Sequence, residues 1–295
     1  MCSIRCQAQQ RYCRVAIGGI MKAPDFSYVR PDTLQEALAI LADDEAMPLA
    51  GGQSLMPMMN FRLAAPETIV DLNAIDDLRG INVADGIVKI GAMTRYAELA
   101  QSDEIATHAP LIRLALPHIA HAAIRNRGTI GGSIALADPA AEMPAVMLAL
   151  GATVEVEGAN GKRRVAADDF FLGLYETALE DAELITAISI PQREPDDRFG
   201  FYELARRHGD YAMAGVAIAI PAQGAAKIAF FGNADRAIRA TGAELALSSG
   251  ISDAAVQSAL DSLDALPFDG DLNAESGTKR HLAGVVLKRA LKGLG

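Results

Sequence analysis

Cysteine is nearly missing from this 295-residue chain: Cys2, Cys6 and Cys13 are the whole supply, all within the first 13 positions. No thiol is left for a disulfide or an iron–sulfur ligand in the body of the chain, which suits a reducing compartment and an expected cytoplasmic location. The C-x3-C-x6-C spacing matches neither a zinc site nor a usual iron–sulfur run, so no metal is expected. Positive charge is also short. With 27 Lys and Arg against 37 Asp and Glu the net charge is −10, which excludes a dedicated nucleic-acid binder. No apolar run reaches the length of a bilayer span; the best, 212–222, contains Pro221 and reads as strand and turn. A G-x-G-x-x-G and a Walker A motif are both lacking, so a Rossmann site and a P-loop are disfavoured. No short-period repeat or low-complexity segment is present.

What is there is apolar: 51% of the residues are hydrophobic, enough for a sizeable core in one large domain or two. Residues 1–20 differ from the rest, carrying Arg5, Arg11 and Arg14 and no acid. They are expected to be a disordered extension, with Met21 as the functional start. Thr33 and Glu36 form a capping-box pattern, which predicts a helix over 33–42. A strand is expected at 68–72, so 24–75 reads as a β-α-β-like unit around a glycine-rich loop. A strand over 87–91 comes next. Thr94 is expected to cap a helix to about Ala100, and a longer helix is expected over roughly 109–123, with Pro117 near a break. Residues 124–133 read as loop. Asp138-Pro139 is expected to cap a helix ended by Gly151. Asn160-Gly161 signals a hairpin, and 182–191 a strand. Punctuation at Pro195-Asp196-Asp197 places a boundary near 197. Strands at 199–206, 213–220 and 226–232 and helices at 239–248, 252–263 and 276–292 complete an α+β unit with an antiparallel sheet.

Two stretches share a local pattern: Ala50-Gly51-Gly52-Gln53-Ser54 and Thr129-Ile130-Gly131-Gly132-Ser133. Glycine lets the backbone approach a ligand and adopt positive φ. Successive amides in such a turn make a concave anion site, and a following helix adds favourable partial charge. One such loop suits one phosphate and two suit a pyrophosphate, although either loop alone is equally a tight turn.

In full, residues 48–57 (PLAGGQSLMP) and 124–133 (IRNRGTIGGS) resemble the two signature loops of the medium subunits of the xanthine dehydrogenase and carbon monoxide dehydrogenase family of molybdenum hydroxylases. The likeness extends to Phe26, Pro31, Arg62-Leu63, Pro66, Asp138-Pro139, Gly209-Asp210-Tyr211 and the segment 281–285. It implies an α+β chain: α/β N-terminal and middle subdomains of the p-cresol methylhydroxylase-type FAD-binding fold, about 21–76 and 77–197, then an α+β C-terminal domain over 198–295. It implies noncovalent FAD. Residues Ala50, Gly51, Gly52, Gln53 and Ser54 match the first pyrophosphate loop. Thr129, Ile130, Gly131, Gly132 and Ser133 match the second, where relatives often end in Asn.

Asp138 and Glu142 match polar positions near the ribityl chain or pyrophosphate, Glu142 often being Asp in relatives. Ile185 matches an apolar residue beside the flavin, and Tyr211 an aromatic that shields one face of its ring. From the residues alone, Asp138 is equally a helix cap, Glu142 a first-turn acid, Ile185 strand core and Tyr211 a half-buried aromatic. Arg125 and Arg127 face either phosphates or solvent. The likeness puts molybdopterin on a large partner subunit and [2Fe–2S] clusters on a small one, in a dimer of heterotrimers. This chain then relays electrons and needs no catalytic acid or base. A stand-alone flavin oxidoreductase and a scaffold that has lost FAD are the competing readings.

Overall fold

Parallel strand pairing near the start of the chain positions the first glycine loop. The computed structural model describes residues 13–15, 22–43, 45–272 and 274–294. Strands β1 (Cys13–Val15), β2 (Phe26–Val29), β3 (Ala46–Leu49) and β4 (Thr68–Asp71) form a sheet in the order β1-β2-β4-β3. Strand β4 runs parallel to both β2 and β3, which requires crossovers, and helices α1 (Leu34–Leu41) and α2 (Leu55–Asn60) provide them. The Thr33 hydroxyl accepts from the Glu36 amide, as the capping box predicts, while the Glu36 carboxylate accepts from Asp32 N, one residue before the cap, rather than from Thr33 N. Helix α1 buries Leu34, Ala37 and Leu41 against Val70, Leu72 and Ile75. Of the extension expected to be disordered, residues 13–15 pair antiparallel with β2; the rest lies outside the described residues.

The middle unit begins with β5 (Ile81–Ala84) and β6 (Ile87–Gly91). Six helices come next: α3 (Tyr96–Gln101), α4 (Asp103–His108), α5 (Pro110–Ala115), α6 (Ala122–Arg125), α7 (Ile130–Leu136) and α8 (Glu142–Leu150). Then come β7 (Thr153–Gly158), β8 (Gly161–Ala166), α9 (Ala167–Phe170), a small hairpin of β9 (Phe171–Gly173) and β10 (Glu176–Thr177), and β11 (Leu184–Pro191). The antiparallel sheet has the order β5-β6-β11-β7-β8.

The structure departs from four local expectations. The helix expected over 109–123 stops at Ala115: Leu116 is still helical in φ and ψ and its amide still donates to Ile112 O, but Pro117 has no N–H to make the next intrahelical bond. Thr94 is not a cap: its hydroxyl bonds the amide and carbonyl of Gly80, while Arg95 is the N-cap of α3 and its amide donates to the Glu98 carboxylate. The stretch 124–133 is largely helical, since α7 starts at Ile130. Ala141, not Asp138, caps α8; Asp138 accepts from Ala140 N in the turn before it.

Residues 198–294 form a four-stranded antiparallel meander of β12 (Arg198–Ala205), β13 (Ala212–Ile220), β14 (Lys227–Phe231) and β15 (Ile238–Arg239). Helices α10 (Thr241–Ala246), α11 (Asp253–Asp261) and α12 (Ser276–Lys292) accompany it. In β13, Ala214, Val216 and Ile218 join the core of that helical layer, while Ala217 and Ala219 join the core around α8. Burial on both faces explains why β13 reads as a continuous apolar run rather than an alternating one. Helix α8, buried from Glu142 to Ala149, is the element shared between the middle unit and this sheet.

Candidate cofactor site

The first glycine loop leaves the C-terminal end of β3, beside the end of β4, where open sheets with parallel strands present ligands. Its conformation is fixed from below. Asn73 Nδ2 donates to Ala50 O at 2.8 Å and to Asp71 Oδ1 at 2.6 Å. Tyr28 OH donates to the other Asp71 oxygen, and the Arg79 guanidinium holds Asn73 through its backbone and side-chain oxygens. Burial, then the hydrogen bond to Asp71, pushes the Tyr28 hydroxyl up to about 12. Gly52 has φ +70°, where an L side chain is strained, and Gln53 Nε2 donates to Gly51 O at 3.1 Å. Ser54 precedes α2 without capping it. The amides of Gly51, Gly52, Gln53 and Ser54 donate to no described backbone carbonyl. They are therefore free for an anion.

The second loop behaves differently. Thr129 caps α7, its hydroxyl accepting from Gly132 N at 3.2 Å and its carbonyl from Ser133 N. Ile130 N donates to Thr94 O, and Gly131 N to Ala92 O. Every amide from Ile130 to Ser133 is thus engaged inside the protein. The expected open nest exists at the first loop and not at the second. What the second offers is the end of a short helix, seated on the middle sheet through Ala92, whose own amide donates to Thr186 O.

The loops meet. A Cβ on Gly51 would lie 2.9 Å from Gly128 Cα and 2.8 Å from Arg127 C, closer still to the Arg127 carbonyl oxygen. One on Gly132 would lie 3.5 Å from Ala50 Cβ. One on Gly131 would lie 2.7 Å from Ala92 O. So Gly51 and Gly131 are close-packing glycines, Gly52 is a positive-φ glycine, and Gly132 lines the seam between the loops.

Asp138 and Glu142 are both buried beside this seam, before and at the start of α8. Desolvation raises Asp138 despite its bond from Ala140 N. Tyr175 OH, on the β9–β10 turn at φ +54°, lies 3.4 Å from Asp138 Oδ2. Burial pushes Glu142 up to about 7, its own backbone amide opposing and the Asp138 charge adding. Tyr211, 73% exposed ahead of β13, feels both carboxylates. Ser133 sits beside the buried Tyr96 hydroxyl, which burial raises. Ile185 is core, one residue from the Thr186–Ala92 bond. Arg125 is committed to the carbonyls of Ile119 and Ala120, and Arg127 is exposed.

With that geometry in view, the comparisons with known proteins are specific. Residues 24–193 match the FAD binding domain in molybdopterin dehydrogenase, and residues 200–294 the CO dehydrogenase flavoprotein C-terminal domain. This chain belongs to the FAD-binding medium subunits of the molybdenum hydroxylase family. It is 42% identical over 277 residues to the carbon monoxide dehydrogenase medium chain of Afipia carboxidovorans, covering 90% of this chain and 96% of that one. It is 40% identical to the 6-hydroxypseudooxynicotine dehydrogenase complex subunit alpha of Paenarthrobacter nicotinovorans, covering 84% and 88%. A solved carbon monoxide dehydrogenase from Hydrogenophaga pseudoflava superposes with TM-score 0.89 at 40% identity, over 92% of this chain and 98% of that one.

This FAD subunit is therefore part of a multi-subunit oxidoreductase, and the molybdenum and iron–sulfur cofactors of the family sit on other subunits. No helix among the described residues is long and apolar enough to cross a membrane, and no group of His, Cys, Asp or Glu there is built to hold a metal. The site fits FAD: free amides at the first loop suit its pyrophosphate, and burial that disfavours the charged form of Glu142 lessens its repulsion of that anion. The sequence reading missed Asn73 and Tyr175. Asn73 was signalled by its place just after a parallel strand.

Proposed function

We propose that this chain is the electron-transfer subunit of a heterotrimeric molybdenum hydroxylase. It takes electrons from [2Fe–2S] clusters of a small subunit and passes them to an external acceptor, while substrate is hydroxylated on a large molybdopterin-binding subunit. Two heterotrimers pair, in the cytoplasm, a location supported by the lack of cysteine after residue 13. The chain divides near residue 197 into an FAD-binding domain and a C-terminal domain.

Bound FAD supplies a two-electron carrier. Around it, Gly51, Gly52, Gln53 and Ser54 offer amides to the pyrophosphate, and Ala50 fixes the loop through Asn73. Thr129, Ile130, Gly131, Gly132 and Ser133 brace the facing wall. As the family resemblance implies, Asp138 and Glu142 would border the ribityl side, Ile185 would back the ring system and Tyr211 would cover one ring face. The single observation that carries this reading is the backbone contact of Gly51 with Arg127 and Gly128, which joins one loop of free amides to one helix end. The test is acid precipitation of the purified, FAD-incubated chain. About one FAD per chain, released intact into the supernatant, is expected. Yellow precipitate would mean a covalent flavin and a different oxidoreductase class, and a colourless, folded chain would sink the cofactor assignment.

A further inference from the structure

Lys279, near the start of α12, is a buried cation outside the residues assigned to the cofactor; its side chain is only 2% exposed. Lysine is almost never fully buried unless paired, because its head group must replace every bond it made to water. Here each one is replaced. Nζ carries three hydrogens, and three acceptors face it: Gly232 O at 2.6 Å, Asp271 Oδ2 at 2.8 Å and Met213 O at 3.0 Å. The backbone of α12 is held at the same place, since Asn233 Nδ2 donates to Lys279 O at 3.0 Å.

The two carbonyls mark two irregular points of the backbone. In the β12–β13 ladder Leu204 pairs with Ala214 and Ala205 with Ala212, so Met213 is the extra residue of a bulge, with no partner in that ladder. A bulge bends its strand and re-aims the side chains beside it. Gly232 follows β14 at φ +74° and is pressed against the same spot: a Cβ there would lie 2.7 Å from Ala212 O and 3.2 Å from Ala212 C. Its amide donates to Pro139 O at 2.8 Å, next to Asp138 in the middle unit. Lys279 thus ties the bulge that follows Ala212 to the turn that lies against Ala212. The residue before Ala212 is Tyr211. At 73% exposed, its ring has little packing of its own, so the backbone that carries it sets its direction. Resting on the FAD reading above, we propose that Lys279 is a positioning residue that aims Tyr211 at the flavin ring, by fixing the bulge at Met213 and the turn at Gly232 in one arrangement. It acts through Ala212 rather than by contact with the ring. The pyrophosphate grip and the ring cover are then set by separate devices, Asn73 under the first and Lys279 under the second.

The test compares the full chain with Lys279→Met, which keeps the buried stem and removes all three donors. Without FAD, hydrogen exchange at the Gly232 amide should speed at least about tenfold in the variant. With FAD, the readout is flavin fluorescence at full occupancy, the occupancy being taken from absorbance. A phenol stacked on a flavin quenches its emission by electron transfer to the excited ring. Tyr211→Leu should therefore brighten the bound flavin, and Lys279→Met should produce at least about half of that brightening. Combined with Tyr211→Leu, Lys279→Met should add nothing, because its effect runs through that ring; a general loosening of the site would add in both backgrounds. Lys279→Gln, whose amide ends one bond short of Nζ, should behave likewise and serves if Lys279→Met does not fold. A folded Lys279 variant as dark as the wild type, equal brightening with and without Tyr211, or unchanged exchange at Gly232 overturns the proposal. Failures of the underlying reading look different: a wild-type chain that binds no FAD sinks the flavin reading, a dark Tyr211→Leu sinks the ring cover, and the proposal falls with either.

Discussion

Adding one methyl group at Gly51 should separate the two loops. Gly51 does not need glycine for its φ, so alanine introduces only a clash. That clash is with backbone: 2.8 Å to Arg127 C, 2.9 Å to Gly128 Cα, and less to the Arg127 oxygen. No rotamer relieves it. The loops must part by about an ångström, and overpacking of this kind costs about 1–3 kcal/mol. Drawn from binding energy, that weakens FAD about ten- to hundredfold. The control is Gly86→Ala, where φ is +74° but nothing lies within 4 Å of the added Cβ. There the cost is left-handed strain alone, about 1–2 kcal/mol, with FAD affinity unchanged. Both variants are titrated with FAD by fluorescence quenching, with thermal unfolding recorded in parallel. If Gly51→Ala binds FAD like the wild type, the loops are not in contact and do not share the cofactor.

Asn73→Ala removes the side-chain bonds to the Ala50 carbonyl and to Asp71, while Asp71 keeps the Tyr28 hydroxyl and the residue-73 amide; FAD affinity should drop about tenfold and stability by about 1–2 kcal/mol, read by the same titration and by urea unfolding. Gly131→Ala, which meets the Ala92 backbone, should destabilise more than Gly132→Ala, which meets only the Thr129 hydroxyl and Ala50 Cβ; the reverse order in thermal melts would place the packing elsewhere. The FAD-free chain should lose stability with rising pH. Glu142 and Glu203 bind their protons up to about 7 and about 8 in the folded state, against an ordinary carboxylate value in the unfolded chain. The folded state therefore holds more protons, and stability is greatest below the ordinary value and falls as pH climbs through 7 and 8, at up to about 1.4 kcal/mol per pH unit for each group. Urea midpoints at several pH values check it, and Glu203→Gln should flatten the upper part of the decline.

Where local chemistry and tertiary packing agree, the sequence was readable. The capping box at Thr33, the Asn160-Gly161 hairpin and helix α12 each rest on contacts within a few residues, and each stands where it was expected. The failures share a cause. Thr94, Asp138 and the 124–133 stretch were assigned by local propensity, but distant partners claimed them. Gly80 took the Thr94 hydroxyl, and Thr94 and Ala92 took the amides that made α7 begin early. Asp138 was drawn into a cluster with Tyr175, which comes from a hairpin 37 residues away.

Distant partners are also why two loops that look alike in sequence do unlike things. A Gly-Gly pair fixes only that the backbone comes close to something. At Gly51-Gly52 it comes close to another loop and turns through positive φ, leaving four amides without backbone partners among the described residues. At Gly131-Gly132 it comes close to Ala92, and the amides are spent on Thr94, Ala92 and Thr129. Donors already engaged contribute little to an anion beyond the field of the helix end. The second loop therefore contributes position rather than hydrogen bonds: it sets Arg127 and Gly128 as the wall against which Gly51 rests. Losing that wall should release the first loop's amides from their aim, so damage at either loop ought to appear as the same defect, loss of FAD with the C-terminal sheet intact.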